Sequence, residues 1–516
     1  MESYSITNIK SFKNRTEVQV KPITVFVGKN SCGKSSLMRF PVVLSQTASA
    51  NSTSALKFYG KLIDYGYYDD VVFNNSKDPI EFSIKYRMDL KFDRNQRQFY
   101  GKHDERKADY RFVEIRASLS KIRKKIVIEK NELYIDGILS YGLYRESSGV
   151  YRTQIYQVYD IDNSSFSQKE CLIHVKNCTS HQFFVAMDTH DVSEAIKNQY
   201  LREELSEYEN GLKASDGRYL PFDIIMRIPN KTRKGIFANN GIDIPEDESL
   251  KEYMSLFDYY QYYSSLMADV HEYYEDESSR LSYIGPFRKN PERIYRDEEF
   301  QTGQVGVQGE NVTTVLIRDY QKKKGLITNI SAWLSKTMGY HLVVDEVSNG
   351  LFSLLLEDSN GIRSNIMDVG YGVSQILPIV AQILVDAPKK RGYWEFPVDN
   401  MMVVEQPELH LHPAAQSELA DLFVSGAIDG KKKLLIETHS EHLIRKLQVL
   451  VADPNCALTN NDVAIYYVDK DETGVATVKE LTVLPNGKFA EKWPSGFFDK
   501  AHELSMELLN VAKHQG

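Results

Sequence analysis

The run Gly28-Lys29-Asn30-Ser31-Cys32-Gly33-Lys34-Ser35-Ser36 combines the groups that hold an anion: two glycines, an ammonium and adjacent hydroxyls. Glycines let successive backbone N–H groups turn toward one charge, and a following helix adds the positive end of its dipole. In such a loop Lys34 would reach the β- and γ-phosphates of a nucleoside triphosphate, while the Ser35 hydroxyl would ligate Mg²⁺. Three more clusters with chemical potential come late in the chain. Gly370-Tyr371-Gly372-Val373-Ser374-Gln375 is a second glycine loop, with Ser374 as an extra donor to an anion. Glu405 ends the apolar run Met401-Met402-Val403-Val404, where a carboxylate would contact the metal directly or through water. His439 ends Leu434-Leu435-Ile436-Glu437-Thr438 and would bond the γ-phosphate and orient an attacking water.

These groups need rigid strand ends and helix starts to carry them. Ile23-Thr24-Val25-Phe26-Val27 reads as a buried strand entering the first loop, and Leu37-Met38-Arg39-Phe40 as the helix leaving it, running to about Gln46 with Pro41 kinking or shortening it. Ile376, Leu377, Ile379 and Val380 place a helix after the second glycine loop. Short strands are expected at Leu56–Gly60, Asp70–Phe73 and Ile80–Ile84. His341–Val344 and Leu351–Leu356 read as an antiparallel pair turning near Asn349-Gly350.

Between these parts the character changes. Val113, Ile115, Ala117 and Leu119 alternate with polar residues, which marks a β-rich insertion, and Leu133–Gly137 ends like a hairpin. Residues from about 250 to 281 are helical in pattern and crowded with tyrosines, a stripe read first as packing and second as a partner-binding face. Gly285-Pro286 and the glycines near 306–309 break regular structure and leave Arg288 and Arg293 either anchoring the fold or reaching a phosphate. His410 and His412 are read as a structural turn rather than a zinc pair. The resulting division is 1–95 for the first half of the head, 96–245 for the β-rich insertion, 246–339 for a helical insertion and return segment, 340–455 for the second half, and 456–516 for a terminal hairpin and helix.

Composition narrows the classes. At 516 residues the chain is long enough for two or three compact units, and no apolar run approaches a membrane span. The N-terminus lacks a secretion signal, and four scattered cysteines without metal-like pairs fit a reducing cytoplasm. The net charge of −8 argues against a surface that attracts nucleic acid as a whole. Local basic runs at Lys121–Lys125, Lys231–Lys234, Lys322–Lys324 and Lys431–Lys433 leave contact with DNA, or with reverse-transcribed DNA/RNA, open.

Taken together, the four motifs resemble an α/β P-loop ATPase head of the ABC type, of the SMC and OLD (overcoming lysogenisation defect) kind, split by a large β-rich and helical insertion. Gly28 to Ser35 match Walker A, Gly370 to Gln375 resemble a degenerate signature, Val403 to Glu408 match Walker B, and His439 matches the switch histidine. Within that group the wording VEQPELHLHP, DVGYGVSQILP and ETHSEHL is most similar to stand-alone ATPases of bacterial defence loci, especially the ATPase subunit of Septu and its retron-linked versions. The tail Trp493–Asp499 is similar to the end of such ATPases.

The resemblance implies ATP and Mg²⁺ as ligands, a homodimer or higher homo-oligomer, and in-trans use of Gly370, Gly372, Ser374 and Gln375 on the nucleotide of the other copy. It also implies regulation of a separate, HNH-type nuclease in antiphage defence; the alternative is an SMC-like DNA-binding ATPase of repair or chromosome maintenance. One departure stands out. The position after Glu405, which holds a glutamate base in most ABC enzymes, is Gln406, so slow turnover is expected. Tyr467–Glu472 is read as a hairpin turn rather than an acidic Toprim nuclease site, and no nuclease activity is expected of this chain.

Overall fold

A computed structural model describes residues 1–49, 54–90, 109–123, 125–160, 165–175, 178–181, 184–187, 212–213, 219–220, 237, 248–297, 303–385, 400–493 and 507. The basic run at 231–234 and the tail residues 494–499 lie outside the described residues, as do parts of the 96–245 block. The chain divides into two compact units. One comprises Met1–Ser5, Ala50–Lys57 and Ser76–Glu275; the other comprises Ile6–Ser49, Phe58–Asn75 and Asp276–Gly516.

The first unit is built on an antiparallel meander. Ile80–Asp89, Tyr110–Ile122, Lys125–Ile135, Ile138–Arg145, Tyr151–Asp160 and Ser165–Val175 pair in sequence order. The period-two pattern does what it predicts, since Val113, Ile115, Ala117 and Leu119 are all buried. Asp136 and Gly137 both take positive φ, 48° and 81°, the geometry a two-residue hairpin demands. Against this sheet packs the tyrosine stripe of the helix Glu248–Arg280. Tyr263 stacks on Tyr141 with ring centroids 5.5 Å apart, and Tyr260, Tyr263 and Tyr274 are fully buried. The stripe is therefore core at these three positions. The strand Ile80–Asp89, expected in the 1–95 head segment, belongs to this unit instead.

The second unit carries the chemistry. Its elements, in chain order, are β1 (Ile23–Gly28), α1 (Lys34–Met38), α2 (Phe40–Ala48), β2 (Ser282–Ile284), α3 (Tyr371–Leu384), β3 (Asn400–Glu405), α4 (Pro413–Ile428), β4 (Lys432–Glu437), α5 (Glu441–Ala452), β5 (Val463–Lys470) and β6 (Ala476–Leu481). The sheet has the order β2-β3-β4-β1-β5-β6. The first five strands run parallel and β6 returns antiparallel, so the Tyr467–Glu472 region is the expected hairpin. The centres of β1, β3 and β4 (Val25–Val27, Met401–Val404 and Leu434–Ile436) are apolar and buried, as strands covered on both faces must be. Their carboxyl ends meet at one edge, the place where open α/β sheets bind ligands. Register sets Glu405 opposite Glu437 and Glu437 opposite Phe26.

Several local expectations change. The helix after the glycine loop breaks at Arg39, and Pro41 sits in the first turn of α2, where no N–H is needed. Asp70–Phe73 is not a strand: Tyr68–Val71 is a helical turn held by Tyr67 N–H donating to the Asp70 carboxylate at 2.9 Å. Leu56–Gly60 likewise forms no strand, only an isolated bridge between Tyr59 and Asp64. The Asn349-Gly350 turn joins His341–Ser348 to Leu351–Glu357 as expected. Lys432, in one of the basic runs left open to nucleic-acid contact, is buried and donates to the carbonyls of Gln382, Ile383 and Val385 at the end of α3. A helix end that would bury bare carbonyls is capped by a lysine instead. Among the described residues no helix is long and apolar enough to cross a membrane.

Candidate functional site

The first glycine loop is built by conformations that other residues resist. Gly28 has φ +145°, and a Cβ there would lie 2.1 Å from the carbonyl oxygen of Val468 on β5. Gly33 has φ +110° and stands at the N-terminal end of α1. Lys34 is buried, and its ammonium donates to Gly28 O at 3.1 Å and Lys29 O at 2.7 Å. The cation thus sits over the loop. Tyr65, buried beneath α1, donates its hydroxyl to Ser36 O at 2.7 Å and fixes the helix start. Cys32 is buried, and burial pushes its thiol pKa up, so it packs rather than reacts.

The two strand-end carboxylates are treated differently. Glu437 accepts the Ser35 hydroxyl at 2.6 Å and lies 3.9 Å from the Lys34 ammonium. Burial raises its carboxyl above the usual range, the Ser35 bond opposes that, and the charge of Glu405 adds to the rise. Glu405 instead receives Arg39 in a two-pronged pair, Nε to Oε1 at 2.5 Å and Nη2 to Oε2 at 2.6 Å, with the Tyr283 hydroxyl donating to Oε1 at 2.6 Å. Burial works against the Arg39 charge, but the bonds to Glu405 more than reverse it and its pKa rises. Sequence reasoning paired Ser35 with Glu405 as metal ligands; the structure pairs Ser35 with Glu437.

The turn after β3 is held from three sides. Gln406 takes φ +43°, donates its N–H to Glu437 O at 2.8 Å and stays partly exposed beside the loop-bearing edge. Arg288 donates to Glu405 O at 2.7 Å, Gln406 O at 3.3 Å and Pro286 O at 3.1 Å, so it anchors this turn. Burial lowers its pKa to about 10, and it stays a cation at neutral pH. Glu408 accepts the backbone N–H of His439 at 2.6 Å and thereby ties the ends of β3 and β4 together. The His439 imidazole is partly exposed, and burial, with help from the nearby Lys34 charge, lowers its pKa. It is neutral at pH 7, with one ring N–H to donate. His412 serves as the N-cap of α4 through Ala414 N–H, the structural role expected of the histidine pair.

The second glycine loop is laid out otherwise. Gly370 is exposed, and a Cβ there would meet nothing within 4 Å. A Cβ on Gly372 would come 3.2 Å from His410 O. Ser374 and Gln375 turn inward: both are buried, and the Ser374 hydroxyl donates to Tyr371 O at 2.9 Å. Of the four signature residues, Gly370 alone is exposed, while Gly372 is half-buried against His410 O. Ser374 and Gln375 both stand in the part of α3 that is buried on every side, from Val373 to Ile383. Arg293 pairs with Asp368 at 2.6 and 2.9 Å, steadying the approach to this loop rather than reaching for a phosphate.

Sequence reasoning missed Glu437, Arg39 and Tyr283 as members of the site. For Glu437 a signal existed: Leu434-Leu435-Ile436 is an apolar run ending in a carboxylate, just as Val403-Val404 ends in Glu405. Arg39 and Tyr283 carried none, because their partners lie hundreds of residues away. The residues present fit a triphosphate with a divalent ion: a glycine loop pressed against β5, an ammonium over it, and a hydroxyl bonded to a carboxylate beside it.

Residues 299–444 match a family model described as AAA ATPase domain, and residues 458–508 match one described as Protein of unknown function (DUF3696). No curated protein matches the chain. Among solved structures the chain is similar to an Smc head bound to the C-winged helix domain of ScpA, at 11% identity over 93% of this chain and 97% of that one with a TM-score of 0.36. It is also similar to an Smc head with an extended coiled coil, bound to the C-terminal domain of ScpA, from Pyrococcus furiosus, at 12% identity over 99% of both chains with a TM-score of 0.35. A third is the SMC head domain from Thermotoga maritima, at 8% identity over 93% of this chain and 97% of that one with a TM-score of 0.34. The ATPase match covers α3, β3, α4 and β4, and the sheet order sets the glycine loop of β1 directly beside β4. Over residues 299–444 the chain is similar to an ATPase domain, and the unit that holds the site has a mixed α/β fold with a glycine loop after β1.

Proposed function

We propose that this chain binds ATP with Mg²⁺ at Gly28–Ser36, hydrolyses it slowly, and closes as a homodimer in which the Gly370–Gly372 turn of one copy completes the nucleotide site of the other. The observation that carries the reading is the convergence of Lys34, Ser35 and Glu437 at the carboxyl edge of two adjacent strands, beside a glycine loop. Lys34 binds phosphate, Ser35 works with the metal, His439 as a neutral donor orients water, and Gln406 holds water without taking its proton. The metal supplies charge neutralisation at the β- and γ-phosphates when bound.

Closure follows from contacts made only in the paired state, so ATP shifts a monomer–dimer equilibrium. The output of that shift, on our reading, is control of a separate HNH-type nuclease in bacterial antiphage defence, supported by the wording EQPELHLHP and ETHSEHL around the site. Light scattering of the purified chain tests the core of this: its mass is expected to double with ATP and Mg²⁺, and to stay unchanged in Lys34→Ala. Unchanged mass in the wild type, with nucleotide bound, would remove the dimer. Copurification with a nuclease supports the regulatory output, whereas ATP-dependent, salt-sensitive DNA binding by the chain alone would favour a DNA-clamping ATPase.

A further inference from the structure

We propose that Glu437, and not Glu405, is the carboxylate that works with Ser35 to hold the divalent ion that accompanies the nucleotide; the assignment rests on the nucleotide reading above. A serine hydroxyl can offer its oxygen lone pair to a metal only when its hydrogen points to an acceptor elsewhere. That acceptor is Glu437 Oε2, 2.6 Å from Ser35 Oγ. The other oxygen, Oε1, faces the Lys34 ammonium at 3.9 Å. Hydroxyl, carboxylate and phosphate-binding cation therefore form one chain of contacts.

Glu405 is committed elsewhere. Both its oxygens are taken by Arg39, and Tyr283 adds a third bond, in a place only 2% exposed. Serving a metal would require it to abandon a guanidinium and leave buried charge uncompensated. Its present work is to clamp Arg39, the residue that joins α1 to α2, onto the end of β3. Charge points the same way. In the structure the buried Glu437 has Lys34 at 3.9 Å, and a Lys34 turned to phosphate would leave that carboxylate short of a cation. A hard divalent cation, which takes one or two protein oxygens and fills its other positions with phosphate and water, is the group that answers it.

The test uses the full chain and the fluorescent nucleotide mant-ATP, titrated once with Mg²⁺ and once with EDTA; the ratio of the two dissociation constants is the metal enhancement. Glu437→Gln is expected to cut that enhancement about tenfold or more, with binding in EDTA little changed, while Glu405→Gln keeps it within about threefold. Should Glu437→Gln not fold, as judged by thermal unfolding, Glu437→Asp carries the test, because the retracted carboxylate loses contact with Ser35 and lowers the enhancement in the same direction. Enhancement lost in Glu405→Gln, or lost equally in both variants, overturns the assignment while nucleotide binding stands. A wild type that binds no mant-ATP overturns the nucleotide reading and this assignment with it.

Discussion

The two glycine loops of the head use the same residue for opposite purposes. At Gly28 the absence of a side chain serves the chain's own packing, since the backbone is pressed against Val468 O and the loop's polar groups are answered by neighbours in the same copy. At Gly370 the absence serves nothing inside the chain, because the space around it is open and the neighbouring Tyr371 is 63% exposed. An inward-facing loop is a finished half of a site. The second loop, followed by a helix, lines an open hollow of about 670 Å³ with Tyr371, His410 and Met338, and on the proposed reading it is the half of a site that a second copy completes.

The comparison breaks most sharply by adding one methyl group. Gly28→Ala forces a Cβ into Val468 O at a φ that L-residues resist, and we expect a loss of about 3 kcal/mol in stability by denaturant unfolding, with nucleotide binding lost as well. Retained stability would mean that the loop is less constrained than drawn. Lys34→Ala removes a buried ammonium that bonds two loop carbonyls, and should weaken ATP binding about 10- to 150-fold by isothermal titration. At the other loop, Gly370→Glu should leave stability within about 0.5 kcal/mol, since nothing lies within reach of the new side chain, and should abolish the ATP-induced dimer by setting a carboxylate against the partner's triphosphate. A large fall in melting temperature there would show that this loop is structural too. The smallest effect concerns Gln406. Gln406→Glu restores a proton acceptor and should raise steady-state turnover more than about threefold, or about 0.65 kcal/mol, and a smaller change would show that this position does not limit the chemistry.

Much of the head was legible because its signals are local. A buried strand, a glycine loop and a helix follow one another over twenty residues, and the apolar runs ending at Glu405 and Glu437 are plain in one dimension. Alternation at 113–119 likewise reads directly as a sheet face. What stayed hidden was set by partners distant in sequence. Nothing around Arg39 says that it will neutralise Glu405, and nothing around Lys432 says that it will be drawn inside to cap α3. The strand expected at 70–73 failed for a local reason that went unread, a Tyr67–Asp70 capping box followed by Asn74 and Asn75 at positive φ. Ser374 was read from a motif, whereas it stands in the fully buried part of α3 and its hydroxyl turns back onto Tyr371 O.

Whether one copy's outward loop completes the other's inward loop is best tested by mixing. Lys34→Ala and Gly370→Glu are each expected to hydrolyse almost no ATP alone. Mixed in equal amounts, they form a heterodimer that holds one site with an intact Lys34 from one copy and an intact Gly370 from the other, so hydrolysis should return to a substantial fraction of the wild-type rate. Mixtures as inactive as the two variants apart would show that both loops act within a single copy, and the account of a shared nucleotide would fail.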